Sequence, residues 1–306
     1  MRSLLLLAAV AALVPTALAG SVRSVTAPAP VLAVAFDGSR VAYAAGRSTT
    51  DCNRVFVWNL ATRGVSKLGR KTHCEQTSTG NAVAAVSIAG KRVLWVHYVG
   101  GNLRDWTLWT ATTTAPAPIR IRLVTREADA PAPIVIGDGG GAQSGNILPY
   151  GVDRTVVALR PSGARQFRWT APAKVVALSA SGARLAVAIE GGRVIVLDGN
   201  GRILRSETFA RTVEAVKLTP NALLVQSGRT LEVRDDGGIR SYSLLAGIRL
   251  ADATSERAIL VGGGKVLRLE LDSSRGGVFA NGTLTALADE RVVVATSRSV
   301  TLRALP

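Results

Sequence analysis

Short apolar runs alternate with turn residues along almost the whole chain. From Val31 onward, runs of four to seven residues rich in Val, Ile, Leu and Ala are separated by Gly, Asp, Asn and Ser. Runs of this length and composition predict β-strands joined by tight turns, and helical periodicity is nearly absent. We therefore expect an all-β chain.

A strand-turn-strand unit recurs at intervals of about 34 to 51 residues, which is typical of a repeat architecture. Six units begin at Val31, Ala82, Lys174, Thr212, Ile248 and Thr283, and an irregular unit lies between the second and the third of these. The unit that starts at Lys174 is the clearest, and its predicted strands are Val175–Leu178, Leu185–Ile189, Val194–Leu197 and Ile203–Arg205. Four antiparallel strands per repeat form one blade of a β-propeller.

This template divides the chain into seven blades. The predicted blades span residues 30–70, 82–124, 132–170, 171–210, 211–246, 247–279 and 280–306. The last blade supplies only three strands, so we expect Val22–Val25 to add the fourth and to close the ring with the N-terminus. Six or eight blades remain open because the third unit is irregular, and two β-sandwich domains are the alternative architecture.

The first nineteen residues differ from the rest. Arg2 is followed by the unbroken apolar run Leu4–Val14 and by the small-residue cleavage site Ala17–Ala19. This order of segments predicts a signal peptide over residues 1–19, followed by a single propeller domain over residues 20–306. We expect the mature chain, without a transmembrane segment, in the periplasm, in the cell wall or outside the cell.

The chain contains two cysteines, Cys52 and Cys74. In an exported protein, an isolated even pair favours one disulfide. A zinc site is the alternative, but no second cysteine pair or spaced histidine pair accompanies them.

The formal net charge is +16, and 31 of the 37 basic residues are arginine. This excess has two explanations, a codon-biased solvated surface of a bacterial protein or a surface that binds polyanions such as wall polymers. Because the chain is expected to leave the cytoplasm, nucleic acid is not an expected partner.

The first blade resembles the repeat of periplasmic TolB-type and WD40-like propellers. The matching segments are Asp37–Ala42 and Val55–Leu60, and the later blades keep only the hairpins. The resemblance implies the propeller fold and no particular partner. The WD40 signature is missing, since Asp105 and Trp106 stand in an order opposite to the blade-end Trp-Asp pair.

No motif for catalysis or for a cofactor emerges. The blades lack a quinoprotein docking motif, no acidic position recurs inward as metal ligands of lactonase-type propellers would, and no G-x-S-x-G is present. We interpret His97 as a packed strand residue, and Gly137–Gly141 as a hairpin loop. The sequence therefore predicts no catalytic residue, no metal site and no cofactor.

The first three blades carry the longest insertions, at Arg47–Asn53, Arg70–Asn81, Val99–Asp105 and Thr125–Pro131. These connections are expected on one face of the propeller, which would also bring the two cysteines together. The candidate partner-binding residues on that face are Arg47, Arg70, Lys71, His73, Arg104, Asp105 and Trp106. Tolerant surface loops are the equal alternative.

The sequence thus favours a monomeric, exported, non-catalytic propeller that binds a protein or an anionic polymer of the cell envelope. Two alternatives stay open. One is a hydrolase or lactonase-like enzyme with its site in the central channel, and the other is a binder of polyanions or cell-wall glycopolymers.

Overall fold

The computed structural model describes residues 22–46, 54–69, 80–139 and 146–305. Every regular element in these ranges is a β-strand. The same ranges contain no helix that is long and apolar enough to cross a membrane.

The strands form seven antiparallel sheets of four, each a blade. Blade 1 consists of β2 (Val31–Phe36), β3 (Arg40–Ala45), β4 (Val55–Asn59) and β5 (Val65–Leu68). Blade 2 consists of β6 (Asn81–Ala89), β7 (Arg92–Val99), β8 (Leu103–Thr112) and β9 (Ile119–Glu127). Blade 3 consists of β10 (Ile134–Ile136), β11 (Leu148–Val152), β12 (Thr155–Leu159) and β13 (Arg165–Thr170). Blade 4 consists of β14 (Val175–Ser181), β15 (Arg184–Ile189), β16 (Arg193–Leu197) and β17 (Ile203–Thr208).

The remaining blades repeat this order. Blade 5 consists of β18 (Ala215–Leu218), β19 (Ala222–Ser227), β20 (Thr230–Asp235) and β21 (Gly238–Ser243). Blade 6 consists of β22 (Arg249–Ala253), β23 (Arg257–Gly262), β24 (Lys265–Glu270) and β25 (Gly276–Asn281). Blade 7 consists of β26 (Leu284–Ala288), β27 (Arg291–Ala295) and β28 (Ser299–Ala304), and β1 (Arg23–Thr26) is its fourth strand.

The first strands of successive blades contact one another around a ring, and β26 contacts β2 to close it. The seven-blade prediction and the closure by the N-terminal strand are therefore confirmed. The irregular third unit is a blade whose first strand is only three residues long.

Apolar side chains fill the space between neighbouring blades. Seven separate core clusters lie between adjacent sheets, one at each of the seven blade junctions. Each sheet is therefore buried on both faces, which explains why strands such as β19 and β27 are apolar at nearly every position.

The meander gives the propeller two unlike faces. Turns between first and second strands, and between third and fourth strands, lie at one end, which we call the turn face. Loops between second and third strands and connections between blades lie at the other end, which we call the loop face. Two of the predicted loop-face insertions are partly strand. The pairing of β7 with β8 reaches Val99 and Asp105, and that of β8 with β9 reaches Leu103 and Glu127.

Arginines at the start of second strands join neighbouring blades on the turn face. Arg92 of blade 2 donates to the carbonyl oxygens of Pro161 and Ser162 at 3.0 and 2.7 Å. Arg184 of blade 4 donates to the carbonyl oxygen of Pro220 at 2.6 Å. Arg291 of blade 7 reaches the carbonyl oxygen of Gly38 in blade 1. In these three blades the arginine that opens the second strand is thus an inter-blade hydrogen-bond donor.

Closure by β1 depends on backbone hydrogen bonds between β1 and β28. The N–H of Ala27 donates to the carbonyl oxygen of Arg298 at 2.9 Å. Because ladder hydrogen bonds are made by every second residue of an edge strand, the N–H of Val25 points toward β28 and that of Ser24 points away. Val25→Pro should lower the free energy of unfolding by about 1–3 kcal/mol, since proline removes a donor from the ladder.

Ser24→Pro is the matched control, because its N–H makes no ladder bond, and it should cost much less. Denaturant unfolding of the three proteins measures the difference. Equal losses in the two variants would contradict closure through β1.

Candidate functional site

One residue from each first strand lies at the same level of the central channel. In six blades this residue pairs with the third residue of the second strand. In blade 3, Asp138 forms a parallel bridge with Ser179 of blade 4, which brings it to that level. We call this set the channel layer, and its members are Ala35, Ser87, Asp138, Ser179, Lys217, Asp252 and Ala286.

The channel layer contains a buried charge cluster. The ammonium of Lys217 lies 3.2 Å from Oδ2 of Asp138 and 3.6 Å from Oδ1 of Asp252. The side chains of Lys217 and Asp252 are only 16% and 14% exposed. One lysine of blade 5 therefore connects carboxylates from blades 3 and 6.

Hydrogen bonds extend this cluster to the neighbouring blades. Ser179 donates to Oδ2 of Asp138 at 3.2 Å and accepts from the N–H of Leu218 at 2.9 Å. Oδ2 of Asp252 accepts from the N–H of Leu287 in blade 7 at 2.7 Å. The network therefore runs across blades 3 to 7 at one level of the channel.

Burial and charge act against each other on these groups. Burial alone would lower the pKa of Lys217, but the carboxylates of Asp138 and Asp252 raise it above its ordinary value. Burial raises the pKa of Asp252, while the ammonium of Lys217 and the N–H of Leu287 limit the rise. Lys217 is thus held as a cation, and protonation of Asp252 is easier than in an exposed aspartate.

Two adjoining cavities occupy the channel around this cluster. A cavity of about 160 Å³ lies at the channel layer, where Lys217 lines it. A recess of about 800 Å³ opens above it on the turn face, lined by turns of blades 3 to 7. Asp138 and Asp252 line both cavities, so the charge cluster forms the base of the open recess.

The rim of this recess is acidic, although the protein as a whole is basic. Glu256, Asp289 and Glu290 line it together with Arg184. Arg184 is bound to carbonyl oxygens of blade 5, and Glu290 accepts from Arg257 at 2.8 Å. Asp289 and Glu290 both adopt left-handed backbone, with φ of 47° and 58°, a strained conformation for such residues.

One oxygen at the base of the recess stands out. Within the part of the chain that the structure describes, Oδ1 of Asp138 is buried and has no hydrogen-bond partner. The two carboxylates of Asp138 and Asp252 carry more negative charge than the single ammonium of Lys217 can balance. A buried acceptor of this kind is costly unless a donor reaches it, so the base of the recess suits a cationic or hydrogen-bond-donating group.

Four of the seven partner-binding candidates, Arg47, Arg70, Lys71 and His73, lie outside the described residues. Cys52 and Cys74 do as well, so their disulfide stays a prediction. The other three candidates lie at the start of β8 on the loop face. Of the described candidates, the structure therefore places Arg104, Asp105 and Trp106 next to one another on one strand.

Arg104 and Asp105 are positioned by their neighbours on blade 2. The guanidinium of Arg104 lies 4.8 Å from the centre of the Tyr98 ring. Asp105 is exposed and accepts from Thr125 at 2.6 Å. Both residues remain available for the loop-face role that the sequence predicts.

Trp106 requires a correction. Its side chain is only 6% exposed and packs in the core between blades 2 and 3, 5.0 Å from the Tyr98 ring. Alternation along β8 turns it toward blade 3, so it is a packing residue and not an exposed recognition aromatic. His97 is buried in β7, 2.5 Å from Oδ1 of Asn81, in agreement with its interpretation as a packed strand residue.

Sequence reasoning missed the charge cluster. It found no acidic position that recurs inward, yet Asp138 and Asp252 share one level of the channel. A signal existed in blades 5 and 6, where Lys217 and Asp252 each stand five positions before the residue that opens the second strand. Asp138 gave no such signal, because its blade departs from the common turn length.

Comparison with known proteins supports the architecture. No protein-family model and no curated protein matches the chain. A chain in the crystal structure of the mitotic checkpoint complex matches with a TM-score of 0.58 and 16% identity, covering 99% of this chain and 98% of that chain. The fold is a WD40-like β-propeller. The computationally designed Ika8 protein matches this propeller with a TM-score of 0.50 and 13% identity, covering 91% of this chain and 97% of that chain.

At such identities the likeness concerns the fold alone, and the channel cluster has to be understood from its own geometry. Lys217→Met should lower the free energy of unfolding by about 3–5 kcal/mol at pH 8, because two buried carboxylates lose their cation. Without the ammonium, the pKa of Asp252 should rise further. The folded state then binds a proton that the unfolded chain does not, so the deficit should shrink when the pH falls from 8 to 5.

Lys174→Met is the control, because Lys174 forms a surface ion pair with Glu190 at 3.8 Å. This substitution should lower the free energy of unfolding by at most about 1 kcal/mol at either pH. Denaturant unfolding at pH 5 and 8 tests both statements. A deficit of the Lys217 variant that is independent of pH would contradict the assignment.

Proposed function

We propose that this chain is an exported, non-catalytic β-propeller that binds a ligand at the mouth of its central channel. The observation that carries the proposal is the unpartnered Oδ1 of Asp138 at the base of the recess. The ligand that fits this base presents a cationic or hydrogen-bond-donating group, such as an amine or a guanidinium. The volume of about 800 Å³ is in the range of small-molecule or peptide side-chain sites.

The state of Lys217 favours binding over covalent chemistry. A nucleophilic lysine needs a lowered pKa, so that its amine is free to attack. The two carboxylates instead raise the pKa of Lys217. Its ammonium serves to hold Asp138 and Asp252 in place.

An enzyme with its site in the channel is the second candidate, and the raised pKa of Asp252 is the observation that favours it. In that case Asp252 would act as a general acid on an ester, lactone or glycoside. Turnover of such a substrate that is lost in Asp252→Asn would replace the binding proposal with this one.

An extracytoplasmic location and a monomeric state complete the proposal. The apolar leader over residues 1–19 and the isolated cysteine pair support export. The partner is then a protein or polymer of the cell envelope that carries the basic or donor group.

Ligand binding should depend on charge at the base of the recess. A short arginine-containing peptide amide should bind in a calorimetric titration, and its citrulline counterpart should bind much more weakly. Asp138→Asn should reduce the affinity for the arginine peptide about tenfold, because a charge-assisted hydrogen bond becomes a neutral one.

Asp236→Asn is the matched control. It removes the same charge from an exposed turn of blade 5 on the same face, outside the residues that line the recess. If the peptide does not bind, or if both variants weaken it equally, a specific site in the recess is excluded.

Export can be tested through the cysteines. In chain exported with its own leader, peptide mapping without reduction should show the Cys52 and Cys74 peptides joined, and the N-terminal residue should be Gly20. The same chain made from Gly20 in a reducing cytoplasm should carry free thiols. Free thiols in the exported chain would contradict the disulfide.

A further inference from the structure

The side wall of the propeller between blades 2 and 3 carries a concentration of positive charge separate from the channel. Arg122 lies on the outer strand of blade 2, and Arg165 and Arg168 lie on the outer strand of blade 3. All three are exposed. With Tyr150 of blade 3, they define what we call the blade 2–3 groove.

Strand register shows that these arginines face the same gap. Arg122 is in a cross-strand row with Leu108 and Val96 of blade 2. Both apolar residues are buried in the core cluster shared by blades 2 and 3. Because residues opposite one another in a row stand on one side of the sheet, Arg122 stands at the outer rim of this junction.

Two arginines of blade 3 lie in cross-strand rows that face blade 2. Arg168 is in a row with Val157 and Tyr150, and Arg165 pairs with Leu159. Val157 and Leu159 are buried in the same cluster, and Tyr150 packs against it. The arginines of blade 3 therefore face blade 2 across the groove that Arg122 faces from blade 2.

The three arginines act on the pKa of Tyr150. Burial raises the pKa of its phenol, and the charges of Arg168, Arg122 and Arg165 each act to lower it. Three guanidinium groups therefore act on one phenol oxygen. Tyr150 is half-buried at the floor of the groove, where its hydroxyl can donate a hydrogen bond.

The three arginines of this groove have no acidic partner in the described ranges of the chain. Among the described residues, the side chains of Arg122, Arg165 and Arg168 make no hydrogen bond or ion pair. The strand β13 contains no acidic residue. The nearby Asp153 is paired with Arg126 at 3.5 Å, on the loop-face side of the groove.

Several arginines on the second and third strands of other blades have acidic partners. Arg234 of blade 5 lies between Glu207 and Glu232, the latter at 2.9 Å. Arg257 and Arg268 of blade 6 share Glu270 at 3.0 and 2.9 Å. These arginines are neutralised within the protein, whereas the three unpaired arginines of the groove converge on one tyrosine.

We propose that the blade 2–3 groove is an anion-binding site for a phosphate group. Guanidinium groups offer several N–H donors in a planar fork that matches phosphate oxygens, and the Tyr150 hydroxyl adds a donor at the floor. Three positive charges suit a multiply charged oxyanion better than a single carboxylate. The phosphate can be free in solution or carried on an anionic polymer, and the two sources present the same chemistry to the groove.

Calorimetry measures the binding of inorganic phosphate and of polyphosphate to the purified chain. Chloride at the same ionic strength serves as the reference anion. The site variant is Arg122→Gln, Arg165→Gln, Arg168→Gln. The matched control is Arg249→Gln, Arg275→Gln, Arg303→Gln, which removes the same charge from exposed arginines on blades 6 and 7. Thermal unfolding of both variants confirms that they are folded.

The site variant should lose at least about tenfold in affinity while the control keeps the affinity of the unmodified chain. Binding of inorganic phosphate identifies a free anion as sufficient, and binding of polyphosphate alone identifies a polymer-borne group. In both cases the bound anion should raise the pKa of Tyr150, as followed by ultraviolet titration, because it offsets the three arginines. Equal losses in the two variants, or no binding above the chloride background, would overturn the proposal.

Discussion

Closure of the ring is the constraint on which the rest of this structure depends. An open row of seven sheets would leave one face of the first sheet and one face of the last sheet uncovered, and here β1 ties the two ends of the chain together by pairing with β28 in blade 7. Closure places the first strand of blade 7 beside that of blade 1, so that every blade is covered on both faces. The channel layer exists as a ring only because this junction forms.

Two kinds of interaction then hold the blades in register. Apolar clusters fill the gaps between sheets and carry most of the burial, but they impose little direction. Hydrogen bonds give direction: arginines such as Arg92 and Arg184 clamp turns of neighbouring blades, and the cluster around Lys217 connects blades 3 to 7 from inside.

The fold was readable from the sequence because it rests on local patterns. Short apolar runs and turn residues repeat within each blade, so the propeller and the closing role of the lone strand before Val31 follow from the chain alone. Seven blades were favoured, and the structure decides against the six or eight that the irregular third unit left open. The channel cluster rests instead on residues from separate blades, and only the pairing register shows that Asp138, Lys217 and Asp252 share a level. The prediction for Trp106 was wrong because the sequence analysis treated the segment before it as a loop, whereas β8 already begins at Leu103. Within a strand, successive residues face opposite sides of the sheet, and Trp106 faces the core.

The composition of the channel layer has a consequence for anything that enters the channel. Blades 2 to 6 contribute Ser87, Asp138, Ser179, Lys217 and Asp252, whereas blades 7 and 1 contribute Ala286 and Ala35. The channel is thus polar over most of its circumference and apolar over the rest. A molecule that entered it would meet methyl groups on one side only, so its rotational orientation would matter as well as its size.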